Sequence, residues 1–249
     1  MLFDGFDWAY FFAGLPKALG MTLAFTAAAF VCAIVVGVLV AIMRTARVLP
    51  MRWFATGYTE LFKNLPLITA IYIIYFGLPS LGIKLDVFIA GTVALVFFYG
   101  AYLGEIFRGG FLSVDKGQRE AALAMGMRPS RVVTKIILPQ AVRVALPGAG
   151  TMMVDLLKGT SLLVTIGGAE LMTHAATVVS ITYRPLESYT LIGLVYFALC
   201  FPLSRLVSGL EQRIASGVPL SPVRADLLRR ARELVAARVA ILEPQRVAR

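Results

Sequence analysis

EAALAMGMRPSRVVTKIILPQ (120–140) is a basic stretch, broken by glycine and proline, in the middle of a chain that is otherwise mostly apolar. Glu120 to Met125 are strong helix formers, Gly126 stops them, and Arg128-Pro129-Ser130 reads as a turn. A second short helix is expected from about 131 to 138, ended by Pro139. Helix, glycine break and helix make a compact finger with basic flanks. Its first piece offers small Ala121, Ala122 and Ala124, apolar knobs at Leu123 and Met125, and Glu120 at the rim to meet a cation. Small side chains let another backbone approach closely, so the finger has the form of a ball for a socket. The loop that carries it, 105–143, is far longer than a simple turn needs, and long loops in compact proteins usually have a task.

The surroundings say what the finger protrudes from. Of the 249 residues, 59% are hydrophobic and 15% charged, where a soluble domain carries about 25% charge. That composition belongs to an all-α integral membrane protein. Uncharged runs at 18–43, 65–83, 87–104 and 188–204, with 144–166 interrupted by Asp155 and Lys158, give five expected transmembrane helices. The first run outlasts the ~30 Å hydrocarbon layer, so some tilt is expected.

Charge supplies the orientation. The loop 44–64 holds Arg44, Arg47, Arg52 and Lys63 against Glu60, and 105–143 holds seven Lys/Arg against three acids. The tail from Arg205 has nine Arg and four acids, whereas the alternate segments are poor in bases. The positive-inside rule then puts the N-terminus outside and the C-terminus in the cytoplasm. The pI of 9.9 therefore reflects topology, with the bases in separate segments rather than one nucleic-acid groove.

Three parts are expected: an extracytoplasmic segment 1–17, a membrane domain 18–215 with a cytoplasmic segment 115–139, and a basic tail 216–249. Residues 1–17 lack a basic n-region, so the first helix is read as retained. Cys32 and Cys200 lie within spans, which argues against a disulfide framework. Within the tail, 223–242 has an amphipathic pattern that suits either a helix on the anionic inner leaflet of membrane lipid or one that docks a soluble partner.

Asp155 and Lys158 are the charges to explain. Each costs about 2.5–3.5 kcal/mol at a bilayer centre, so both should face the bundle interior, a cavity or each other. Three residues apart, they can form an ion pair; alternatively Asp155 meets the α-ammonium of an amino acid. Tyr99 and Tyr102 suit packing or interfacial anchoring, Glu105 and Arg108 suit a helix pair at the cytoplasmic end, and the lone His174 is a poor metal candidate.

The spacing Glu120-Ala121-Ala122, three residues, Gly126, nine residues, Ile136-x-Leu138-Pro139 matches without gaps the EAA signature of ABC importer permeases. GAYLGEIFRGGFLSVDKGQREAALAMGM (100–127), ILPQAVRVALPG (137–148), TELFKNLPL (59–67) and IYFGLPSLGI (74–83) resemble the polar-amino-acid branch of that family, over about 15–214. The resemblance implies a type I importer fold in a bacterial inner membrane. It implies that 120–126 is the coupling helix seated in a cytoplasmic ATP-binding subunit, with Glu120 paired to a base there and Gly126 permitting the turn. It also implies an identical or homologous second permease, two ATPases, an extracytoplasmic solute-binding protein, and ATP-driven alternating access. ATP and Mg2+ would belong to the ATPase, since no GxxxxGK[ST] loop occurs here.

The resemblance also carries a departure. Relatives commonly read K-[DN]-[TS]-S-L where this chain has Lys158-Gly159-Thr160-Ser161-Leu162, so the acidic position is Gly159. Asp155 lies one turn earlier on the same face, as though the charge had moved. Phe98-Tyr99-Gly100 likewise replaces a stretch rich in Asn, Ser or Thr, and Tyr99 could offer a hydroxyl and an aromatic wall. Asp155, Tyr99, Gly159, Thr160 and Ser161 are the candidate substrate contacts. Rival readings are an ion-gradient-driven secondary transporter, a structural scaffold, and an intramembrane serine protease pairing Ser161 with His174, which lacks a Gly-x-Ser-x-Gly setting.

Overall fold

The computed structural model describes residues 6–46 and 48–215. It is helical throughout those residues. Helix α1 runs Trp8–Thr45, α2 Leu49–Asn64 and α3 Leu67–Tyr72, the last continuing through a π turn and a 3₁₀ turn to Leu81. Then come α4 (Val87–Leu112), α5 (Lys116–Ala124), α6 (Pro129–Val132), α7 (Leu138–Gly159), α8 (Leu171–Thr182) and α9 (Pro185–Ala215). Residues 1–205 form one compact unit; 206–249 form a second, of which the last turns of α9 are described. The tail pattern at 223–242 lies outside the described residues.

Four helical stretches are long and apolar enough to cross a membrane: Trp8–Thr45, Val87–Leu112, Pro129–Ile166 and Pro185–Ile214. A fifth crossing is available if Leu49–Asn64 and Leu67–Leu81, bent by 113°, act as one span. Several sequence expectations shift accordingly. Residues 44–64 are no loop but largely α2, an amphipathic helix whose Ala55 and Thr59 are buried. Helix α1 starts ten residues before the uncharged run, because Asp7 caps it by accepting from the Tyr10 N–H at 2.9 Å. Pro139 ends nothing: the chain is helical from Pro129 to Gly159, and the π turn Val133–Ile137 just before Pro139 absorbs its missing N–H.

Helix α4 is the shaft. The stripe Ala29, Ala33, Gly37 and Ala41 of α1 is buried, and Gly100 and Gly104 of α4 are buried opposite it. A Cβ on Gly37 would lie 2.7 Å from Leu103 Cβ, and one on Gly104 2.6 Å from Val40 Cγ1. In lipid there is no water to drive two apolar helices together, so close van der Waals contact of this small-xxx-small kind must hold them. On another face Gly110 meets α7, where a Cβ would sit 2.6 Å from the Ala141 carbonyl. Near the end of α4, Glu105 accepts from Arg108 at 2.7 Å and also pairs with Arg44 of α1, so the expected α4 pair is a three-residue clasp.

Two buried threonines of α1 are paired locally. Thr22 and Thr26 donate to the carbonyls of Ala18 and Thr22 at 3.0 and 2.7 Å, which a bilayer requires of any buried hydroxyl. Gly104→Val should force the α1–α4 seam apart and lower the thermal midpoint of the purified protein in detergent. Over-packing of this kind costs about 1–3 kcal/mol. Gly109→Ala, whose added methyl meets nothing within 4 Å, should leave the midpoint unchanged or slightly raised.

Candidate functional site

Two places carry chemistry, one in the membrane and one on the finger. In the first, the Tyr99 ring is only 2% exposed, and its hydroxyl donates to Asp155 Oδ2 at 3.1 Å. Asp155 Oδ1 lies 3.7 Å from Lys158 Nζ, with the two side chains 53% and 56% exposed. The expected ion pair is therefore present, and it sits on a face that this chain alone leaves open. Tyr99 is not a wall at that face; it stands behind Asp155 and orients it.

Gly159 explains the departure from the family pattern. A Cβ there would lie 2.6 Å from the Tyr99 hydroxyl and 3.1 Å from Leu67 Cδ2. No side chain, acidic or otherwise, fits at 159 while tyrosine occupies 99. Tyr99, Gly159 and Asp155 thus form one unit, in which the hydroxyl fills the place of a side chain at 159 and bonds the acid a turn away.

Thr160 and Ser161 part company. Thr160 is fully buried and donates to the Leu157 carbonyl at 2.7 Å. Ser161 donates to the Lys158 carbonyl at 2.7 Å and joins Lys158 on the wall of a cavity of about 250 Å³. The opposite wall comes from α8 and α9 and includes Met172, Tyr189 and Tyr196.

Behind Tyr196 is a residue that charge counting missed. Glu170 is 0% exposed, caps α8 by accepting from the Met172 and Thr173 N–H groups at 2.8 and 2.7 Å, and accepts from the Tyr196 hydroxyl at 2.7 Å. The neighbouring Leu171 N–H donates to Thr22 at 3.1 Å, so this knot ties α8 to α1 and α9. An acid directly before an apolar helical run was the available signal. His174 packs on Gly14, and its Nε2 donates to the Phe11 carbonyl at 2.8 Å. Ser161 and His174 spend these bonds on backbone carbonyls, so the geometry offers no nucleophile–base pair. Among the described residues no group of three or more His, Cys, Asp or Glu could hold a metal ion.

On the finger, Asp115 caps α5 by accepting from Gly117 N–H at 2.6 Å. The helix ends with Gly126 at φ +78°, the Gly126 N–H on Leu123 and the Met127 N–H on Ala122. These paired bonds satisfy the last carbonyls, and the left-handed backbone is why glycine stands there. Glu120, Ala121, Leu123, Ala124, Met125 and Gly126 are exposed, Met125 by 75%. Ala122, expected on the outer surface, is buried at 1%: it faces inward as α5 packs on α6. Gln140 Nε2 donates to Gln118 Oε1 at 2.6 Å, which pins the finger to the start of α7.

Comparison with known proteins gives the family of the chain. Residues 33–216 match the family model described as the binding-protein-dependent transport system inner membrane component. A probable glutamine ABC transporter permease protein of Bacillus subtilis is 41% identical over 180 residues, covering 72% of this chain and 83% of that one. A glutamate/aspartate import permease protein of Escherichia coli is 35% identical over 221 residues, covering 84% and 99%. A crystal structure of an amino acid ABC transporter with histidines matches with a TM-score of 0.74 at 34% identity, over 82% of this chain and 94% of that one. The chain belongs to this family of inner-membrane ABC transporter permeases; it is a multi-pass transport subunit and not an enzyme.

Gly159→Ala should lower the thermal midpoint by driving a methyl into the Tyr99 hydroxyl. Tyr99→Phe alone should lose about 1 kcal/mol with its hydrogen bond. Combined, the two should recover much of the Gly159→Ala loss, because only the movable end of Leu67 then lies close. Additive losses in a double-mutant cycle would show that the residues do not act as a unit.

Proposed function

We propose that this chain is one half of the pathway of an importer for polar amino acids, driven by ATP hydrolysed on separate cytoplasmic subunits. The N-terminus lies outside and the C-terminus inside, as the loop charges direct, with the bent α2–α3 pair serving as the fifth crossing. Residues 1–17 begin outside, 18–215 form the membrane domain, 115–139 the coupling segment, and 216–249 a basic cytoplasmic tail. An extracytoplasmic solute-binding protein delivers the substrate.

One observation carries the reading: an exposed finger and a half-exposed intramembrane acid share a helix. Gln118 ties the finger to Gln140, and α7 then runs fifteen residues, about 22 Å, to Asp155. Movement of the finger by a closing ATPase reaches the acid through that helix. The open face supports a second permease opposite. Half-exposed charges on a spanning helix cannot face hydrocarbon cheaply, so Asp155 and Lys158 border water or another subunit. Asp155 accepts the substrate ammonium, Ser161 lies alongside, and Tyr99, Gly159 and Thr160 hold them in place. Glu120 pairs with a base of the ATPase while Ala121, Leu123, Ala124 and Met125 enter its groove.

A secondary transporter needs no such finger. Gly126→Pro forces φ to about −65° where +78° is required, and Glu120→Lys reverses the rim charge. Each should abolish ATP-dependent uptake in proteoliposomes holding the assembled complex, while membrane insertion stays normal. Uptake at the parental rate by either variant would refute the coupling role of the finger.

A further inference from the structure

We propose that the cavity walled in part by Lys158, whose ammonium lies 3.7 Å from Asp155, receives an α-amino acid whose side chain carries no charge, with Lys158 holding the carboxylate. This rests on the reading of Asp155 as the ammonium contact.

The first ground is size. About 250 Å³ falls below the ~300–1,000 Å³ of pockets for drug-sized ligands, so a single small solute is the fitting occupant. The second is charge. Lys158 Nζ and Asp155 Oδ1 stand 3.7 Å apart, looser than the ~2.7–2.9 Å of a tight charge-assisted bond. Asp155 gives one oxygen to Tyr99, and the ammonium of Lys158 has three donors, so both retain capacity for a ligand. A zwitterion brings one charge of each sign. Its ammonium on Asp155 and its carboxylate on Lys158 replace one loose pair by two, and the site stays neutral.

A third charge has nowhere to go. The side chain of such a ligand extends among Ser161, Met172, Tyr189, Ile192 and Tyr196, and Lys158 is the one ionised group on the cavity wall. An acidic side chain would compete with the α-carboxylate for that single lysine. A basic one would need a carboxylate, and the nearest candidate is withdrawn. Glu170 lies behind Tyr196 at 0% exposure, with its oxygens taken by Met172, Thr173 and Tyr196. Taking an unpaired charge out of water is costly enough to exclude both classes. Ser161 keeps acceptor lone pairs free, since its proton goes to the Lys158 carbonyl, and these suit an amide donor.

The test is equilibrium dialysis of labelled L-glutamine against the assembled permease–ATPase complex in nanodiscs, without binding protein. Lys158→Met should weaken L-glutamine binding about tenfold or more, the scale of a lost bond to a charged group. It should leave binding of the decarboxylated analogue 4-aminobutanamide unchanged, and Lys158→Arg should keep both. L-asparagine should compete well, L-glutamate and L-arginine about tenfold worse or more. Equal weakening of glutamine and its decarboxylated analogue would make Lys158 a structural residue and overturn the proposal. So would competition by L-glutamate or L-arginine as strong as that of L-asparagine. If a charged amino acid is bound and carried in place of the neutral ones, transport stands and this inference falls. If no amino acid is bound or carried, both fall together.

Discussion

Close contact of backbone with backbone along α4 is the condition on which the remainder of the membrane domain rests. Apolar side chains gain nothing by leaving lipid for one another, so helices in a bilayer must be held by packing and by paired polar groups. Gly37, Gly100 and Gly104 bring α1 against one face of α4, and Gly110 brings α7 against another. Next to those contacts stands Tyr99, whose ring is buried and whose hydroxyl reaches Asp155. The position of the Asp155–Lys158 pair is thus set by glycines that never touch it.

From that pair the structure runs without interruption to the finger. Helix α7 carries Asp155 and Lys158 at one end and Gln140 at the other, and Gln140 holds the finger through Gln118. The Glu105 clasp on Arg44 and Arg108 ties α1 to α4 at the same end. The finger is therefore tied to a helix and not only to its own loop. At the other end, Glu170, Tyr196 and Thr22 join α8 to α1 and α9 by hydrogen bonds that stay out of water.

Much of this was legible in the chain. The finger could be read because Gly126 marks the one place where a left-handed backbone turns it, and the spans because charge is absent from them. What escaped did so for physical reasons. Ala122 looked like its neighbours Ala121 and Ala124, and only the packing of α5 on α6 decides which alanine turns inward. Pro139 read as a stop because a π turn that accommodates proline leaves no mark in composition. The bond between Tyr99 and Asp155 joins residues 56 apart, beyond any periodicity, and so the meaning of Gly159 stayed hidden until the ring was placed. Glu170 was missed because a capping acid and a surface acid are spelled alike.

The central claim is that this chain moves solute only when a separate nucleotide-hydrolysing subunit acts on its finger. The direct measurement is uptake of labelled amino acid into proteoliposomes, comparing this chain alone under a proton or sodium gradient with the full assembly supplied with ATP and binding protein. The account predicts accumulation by the full assembly, insensitive to an uncoupler, and none by the chain alone. Gradient-driven uptake by the chain alone, with no nucleotide present, would contradict it.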